Sequence, residues 1–209
     1  MFVAFFLIAL AFLRRKVEWG TGWVWPMPRL QIGAKLYTPT ISSGADDMRG
    51  DDYHRGVDVF YKRKSTTDEL SRAPLTPDAN GVRWGSPWFF VLPMIPILAA
   101  KDGEVWSSGV TPTGGSVVIS HGKPFATYYT HMATLALPAH ADGVSVATGK
   151  PTKVKAGDII GYVGASPRDG QHLAHLHFEV WHGGTRENAV DPQAAMSTWP
   201  TVPWVVRKG

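Results

Sequence analysis

From Leu176 to Trp181 the chain alternates apolar and polar residues, and that period of two is the mark of a β-strand. Leu176, Phe178 and Val180 fall on one face, while His175, His177, Glu179 and Trp181 fall on the other. Similar short runs recur upstream. "YHRGVDVFYKR" predicts a turn entering a strand, "IPILAAKDGEVWSSG" two short strands about an Asp-Gly turn, and "GGSVVISHG" with "FATYYTHMATL" a hairpin. "DIIGYVG" predicts a further strand, and "NAVDPQAAM" an Asp-Pro turn leading into a short helix. Long helical periodicity is absent, so the pattern predicts a mainly β, antiparallel single domain over residues 49–209.

Two stretches interrupt this rhythm. Residues 17–48 are rich in Pro, Gly and Trp and are expected to form a linker. Residues 62–92 are polar and Pro-rich, too long for a hairpin turn, and are expected to be a functional or covering loop. Trp84, Trp88, Phe89 and Phe90 within it either line a groove or pack beneath the loop.

Composition narrows the class. The 209 residues, with 22 Gly, 16 Pro and few charges, suit one turn-rich domain. A net charge of +4 and a pI near 9.4 favour anionic surroundings such as cell-wall polymers or membranes. No Lys/Arg patch with interleaved aromatics points to nucleic acid. The absence of cysteine excludes disulfides and thiolate metal sites while permitting export.

The first thirteen residues, "MFVAFFLIALAFL", are apolar and precede Arg14, Arg15 and Lys16. Thirteen residues give only about 20 Å of helix, and the charges lie on the wrong side for a secretory signal. A shallow membrane anchor over residues 1–13, with Trp19, Trp23 and Trp25 near the interface, is the preferred reading, and an apolar segment packed against a neighbour is the other. The three bases would favour the cytoplasmic side, which conflicts with an exported domain.

The histidines carry the candidate chemistry. His175 and His177, two positions apart on a strand, project side by side, which suits a metal ligand with a neighbouring acid/base; a strand with its polar face outward gives the same pattern. "HRGVD" offers His54 and Asp58, imidazole and carboxylate donors that suit zinc, with Gly56 letting the strand bend. Adding His177 gives two His and one Asp, the ligand count of a catalytic zinc with its fourth place open. In "YYTHM", Tyr129 and His131 are expected to share a strand face. Glu179 is read as a solvent-exposed carboxylate or, less favoured, as a group orienting a histidine. His121, His140, His172 and His182 fit no ligand position and are expected at the surface.

The ordered set "HRGVD", "GGSVVISHG", "YYTHM", "VKAGDIIGYVG", "HLHFEVW" and "VDPQAAM", over residues 49–196, resembles the LytM or lysostaphin-type zinc endopeptidases that cut peptidoglycan. The resemblance implies an antiparallel β-sheet fold with an open groove, and one zinc ion held by His54, Asp58 and His177. It also implies His131 and His175 as catalytic residues flanking the nucleophilic water. The implied substrate is a peptidoglycan peptide cross-link, cut at the cell envelope or periplasm by a membrane-anchored enzyme or by a component of a virus particle. The family also includes scaffold proteins with decayed ligands, so the competing expectation is a peptidoglycan-binding or enzyme-activating module of the same fold. All five residues are present here, which favours the enzyme. The 62–92 insertion and the apolar N-terminus depart from the family pattern and leave substrate choice and placement open, as are the cross-bridge cut and the oligomeric state.

Overall fold

The computed structural model describes residues 17–45, 47–49, 52–65, 75–165 and 173–206. The predicted anchor over residues 1–13 and His172 lie outside them.

The predicted hairpin is the centre of the molecule. Gly114–Ser120 pairs antiparallel with Phe125–Leu135, and Gly103–Thr111 adds to the outer side of the former. Leu176–His182 lies along Phe125–Leu135, Val57–Lys62 along Leu176–His182, and Pro39–Ser43 beyond it. Every one of these pairings is antiparallel, and the alternation read from the sequence explains the order. Leu176, Phe178 and Val180 are wholly buried, as are Val57, Val59, Val117, Ile119 and Tyr129. Burying a side chain of this size contributes roughly 1.5–3 kcal/mol. The opposite face of the same strands is left for the histidines. Among the described residues the helical content is slight: one turn at Arg186–Asn188 and a short α-helix at Gln193–Met196, the latter after the expected Asp-Pro turn.

Two expectations change. The strands on either side of Asp102 form but do not pair with each other. Pro96–Leu98 pairs with Ile159–Val163, and Gly103–Thr111 with the central hairpin. Asp102 instead accepts hydrogen bonds from the Ala156 amide at 2.9 Å and from Lys155 Nζ at 2.8 Å, which turns the chain from one pairing to the other.

The expected linker is part of the domain. Arg29–Ile32 and Lys35–Tyr37 form a small sheet with Pro203–Val205, and Trp23, Trp25, Met27, Leu30, Ile32 and Tyr37 are core residues. Trp19 stacks on Phe125 at 5.6 Å between centroids and Trp23 on Trp199 at 4.8 Å. These rings, which the sequence suggests for a membrane interface, fill the protein's own interior. Glycine and proline break the strand period between them, which hides their apolar alternation. Among the described residues no helix is long and apolar enough to cross a membrane.

Candidate metal centre

Asp58 and His177 meet because their strands do: in the register of Val57–Lys62 against Leu176–His182 they are direct partners. His54 arrives from the turn just before. That turn passes so close to the neighbouring strand that a Cβ on Gly56 would lie 2.3 Å from the Phe178 carbonyl oxygen and 2.8 Å from Glu179 Cγ. Glycine is therefore the residue that lets His54 and Asp58 converge on His177. His54 Nε2 lies 3.1 Å from Asp58 Oδ1 and 2.9 Å from His177 Nδ1, and His177 Nδ1 lies 3.1 Å from Asp58 Oδ1. All three side chains are buried.

The outer hydrogen bonds decide what these atoms offer. His54 Nδ1 donates to the Gly44 carbonyl at 2.8 Å, so Nε2 turns its lone pair inward. His177 Nε2 donates to Glu179 Oε1 at 3.0 Å, so Nδ1 does the same. Two imidazole lone pairs and a carboxylate oxygen thus face one another in a buried place. Such a set is repulsive unless a cation or an added proton lies among the three atoms. Zinc bonds of about 2.0–2.2 Å place tetrahedral ligands on the order of 3.3 Å apart. The three atoms fit that ion after a small outward relaxation. Without a metal, a proton fills the role. Burial alone would raise Asp58, yet the imidazoles of His175, His177 and His54 around it hold its carboxyl far below the usual range. Burial likewise opposes charge on His177, but Asp58 and Glu179 together raise it.

His131 and His175 complete the constellation, with ring centroids 4.7 Å apart. His175 Nδ1 donates to the Leu173 carbonyl at 2.7 Å, and its Nε2 lies 3.5 Å from Asp58 Oδ1. His131 Nδ1 donates to the Thr113 carbonyl at 2.8 Å. Burial first, then the neighbouring His175, lowers His131 to about 3, so it is neutral at ordinary pH.

The expected face-sharing of Tyr129 and His131 fails. Tyr129 opposes Phe178 and packs on it in the core, while Thr130 opposes His177 on the site face. Strict alternation would send His131 to the core. A backbone φ of +70° at His131, beside a register shift between Gly115 and Val117 on the neighbouring strand, turns its ring to the site instead. Only the tertiary structure reveals this break.

Glu179 is wholly buried, not solvent-exposed. Besides His177, its carboxylate accepts from Trp181 Nε1 at 2.7 Å and from Arg186 Nη2 at 3.0 Å. Burial raises it, but these donors prevail and hold it at about 2. The sequence signal was its place two residues after a ligand on the same face. His140, expected at the surface, is buried between the Pro138 carbonyl and Thr152 Oγ1. His121 is half-buried between the Asp102 carbonyl and Thr127 Oγ1, and burial lowers it to about 4. His182 is half-buried against Phe125.

The described part of the 62–92 insertion reaches this site. The Ala174 amide donates to the Arg83 carbonyl at 2.7 Å, next to His175. Phe89 packs against Phe60, whose ring stacks on His175 at 5.1 Å. Phe90 is core and Trp84 donates to Asp78, whereas Trp88 is 73% exposed. Packing beneath the loop thus accounts for Phe89 and Phe90.

The model of peptidase family M23 matches residues 89–192, a span that holds His131, His175 and His177 within the sheet just described. The chain belongs to this family. His54 and Asp58 precede the matched span, and it is the strand pairing across the insertion that joins them to the M23 histidines. No curated protein sequence matches the chain. Among solved structures the fold is similar to the SpoIIQ–SpoIIIAH pore forming complex, at 14% identity over 84% of this chain and 90% of that one, with a TM-score of 0.51. It is also similar to the catalytic domain of the antimicrobial peptidase lysostaphin from Staphylococcus simulans, at 17% identity over 78% and 93%, with a TM-score of 0.49. A zinc containing peptidase from Vibrio cholerae matches at 21% identity over 81% of this chain and 40% of that one, with a TM-score of 0.48. These identities speak for the fold alone. The M23 chain described here thus has the mainly β, antiparallel LytM-type fold that its sequence predicts.

Proposed function

We propose that this M23 protein is a zinc-dependent endopeptidase that hydrolyses peptide cross-links of bacterial peptidoglycan. The observation that carries the reading is the inward convergence of three electron-pair donors, His54 Nε2, Asp58 Oδ1 and His177 Nδ1, with both imidazole tautomers fixed from outside. These residues would hold the ion. Zinc so held supplies the Lewis acidity that polarises a peptide carbonyl and acidifies a water. His131 and His175 each have Nδ1 engaged by a backbone carbonyl, which leaves Nε2 to take a proton from the attacking water and return one to the leaving amine. Burial keeps His131 neutral, with an unprotonated Nε2 that can accept a hydrogen bond. The net charge of +4 suits an anionic wall polymer.

The test is metal content beside digestion of purified sacculi. His54→Ala, Asp58→Ala and His177→Ala should each lose zinc and activity, whereas His131→Ala and His175→Ala should keep zinc and lose activity. Binding of sacculi without cleavage by the zinc-loaded protein would instead identify a non-catalytic binding or activating module. We also assign the protein to the cell envelope, on a cell or carried by a virus particle, with residues 1–13 as its membrane anchor. Deleting them should abolish flotation with lipid vesicles and leave hydrolysis unchanged.

A further inference from the structure

Thr113 stands at the tip of the hairpin between Gly103–Thr111 and Gly114–Ser120, in a loop of two residues, Pro112 and Thr113. A hairpin tip is ordinarily the loosest part of a sheet. Yet the Thr113 carbonyl accepts the hydrogen bond from His131 Nδ1 at 2.8 Å, and it thereby decides which nitrogen His131 presents. His131 itself sits at a φ of +70°, a conformation that persists only where its surroundings fix it. Something must hold the tip.

Four hydroxyl groups do so. Thr113 Oγ1 lies 2.9 Å from Thr111 Oγ1 and 2.9 Å from Thr130 Oγ1, while Ser116 Oγ lies 2.7 Å from Thr130 Oγ1 and 3.1 Å from Thr111 Oγ1. These contacts close a ring. Each hydroxyl carries one proton and accepting lone pairs, so each can donate once and accept once around it. The ring joins the two strands of the hairpin, through Thr111 and Ser116, to the tip at Thr113 and to Thr130, the residue before His131. Thr130 and Ser116 are buried, where an unpaired hydroxyl would be costly. Thr130 Oγ1 also lies 3.4 Å from the Thr113 carbonyl oxygen itself. Gly114, the next residue, passes so near that a Cβ on it would lie 3.3 Å from His131 Cα, so the tip and His131 pack directly together.

We propose that the hydroxyl ring of Thr111, Thr113, Ser116 and Thr130 positions His131 for proton transfer, with Thr113 and Thr130 as its decisive members. They act through His131 and are positioning residues, not catalytic ones. What His131 does rests on the endopeptidase reading; how it is held does not. A ring that only tied the sheet together would contribute stability and leave the His131 ring where it is.

Three variants of the full chain test it. Thr113→Val keeps the branched shape and removes the hydroxyl, Thr113→Ser keeps the hydroxyl, and Thr130→Val opens the ring from the other strand. Thr113 is only partly buried, so its replacements are the comparison least exposed to misfolding. In the zinc-loaded protein, proton NMR should show the His131 Nδ1 proton exchanging with water roughly tenfold or more faster in both valine variants than in the parent, and near the parental rate in Thr113→Ser. On a soluble cross-linked peptidoglycan peptide, well below the melting temperature, the valine variants should lower kcat roughly tenfold while KM and zinc content stay within about twofold. Thr113→Ser should retain kcat within about twofold. Valine variants with parental exchange, or with parental kcat beside an active parent, would overturn the proposal even if their melting temperatures fall, and so would a serine variant as impaired as the valine. The two readings fail separately. A parent that cuts no cross-linked peptide but shows the expected exchange pattern sinks the peptidase reading and keeps the positioning ring, while an active parent whose valine variants are unaffected does the reverse.

Discussion

Replacing Glu179 with glutamine tests the metal centre without touching a ligand. The carboxylate receives four hydrogen bonds in a place closed to water: Oε1 from His177 Nε2 and Arg186 Nη2, Oε2 from Trp181 Nε1 and Arg186 Nε. Glutamine keeps the shape but has one acceptor oxygen and adds an NH2 group. If the oxygen stays toward His177, the new NH2 confronts the Trp181 N–H, formerly 2.7 Å from its acceptor. If the amide turns over, the His177 N–H loses its partner and the ring no longer holds Nδ1 inward. Trp181 and Arg186 are partly exposed and can turn to water, so the stability loss should be about 1–3 kcal/mol. The zinc site should suffer more specifically. Loss of a carboxylate behind a ligating histidine costs about 10- to 100-fold in affinity, about 1.4–2.7 kcal/mol. Competition with a chromophoric chelator, well below the melting temperature, measures that affinity. Glu179→Gln binding zinc within twofold of the parent would refute the idea that the buried carboxylate fixes His177.

Gly56→Ala should separate Asp58 from His177, because the new methyl meets backbone that cannot withdraw; about 1–3 kcal/mol of stability and most bound zinc should be lost, and a variant with parental zinc content and melting temperature would contradict this. The metal-free protein should be most stable near pH 6.5. Below that value the unfolded chain protonates His131 and His121 while burial holds them down to about 3 and about 4 in the fold, costing about 1.4 kcal/mol per pH unit for each. Above it the raised His177 loses the proton that stabilises the fold, so its contribution is full below 6.5 and disappears as pH climbs through the folded value. Melting temperatures in chelator that rise steadily to pH 8.5 would rule this out. Phe89→Ala should leave zinc bound but lower kcat about tenfold or more, since Phe89 backs Phe60, whose ring supports His175; a change confined to KM would show that the loop only selects substrate.

Most of the strand set follows from local pattern. Leu176, Phe178 and Val180 recur every second residue, and a strand with one apolar face has one way to bury it. The candidate site is legible only as an ordered set: HxxxD and HxH are weak singly, and it is the resemblance to LytM-type peptidases that implies His54, Asp58 and His177 as ligands and His131 and His175 as catalytic residues. Three things were not legible. Trp19, Trp23 and Trp25 looked interfacial, since a tryptophan's own sequence neighbours do not say whether lipid or Trp199 and Phe125 will cover it. Glu179 looked exposed, since period two tells which face a side chain takes but not whether Arg186 and Trp181 will close over that face. His131 looked like a partner of Tyr129, since a single residue at positive φ reverses the alternation and depends on the register of the adjoining strand. Local sequence determines which groups are available and how each strand divides them. Register, strand pairing across the insertion and the covering residues are long-range choices, and these bring His54 and Asp58 to His177 and fix which nitrogen each ring presents.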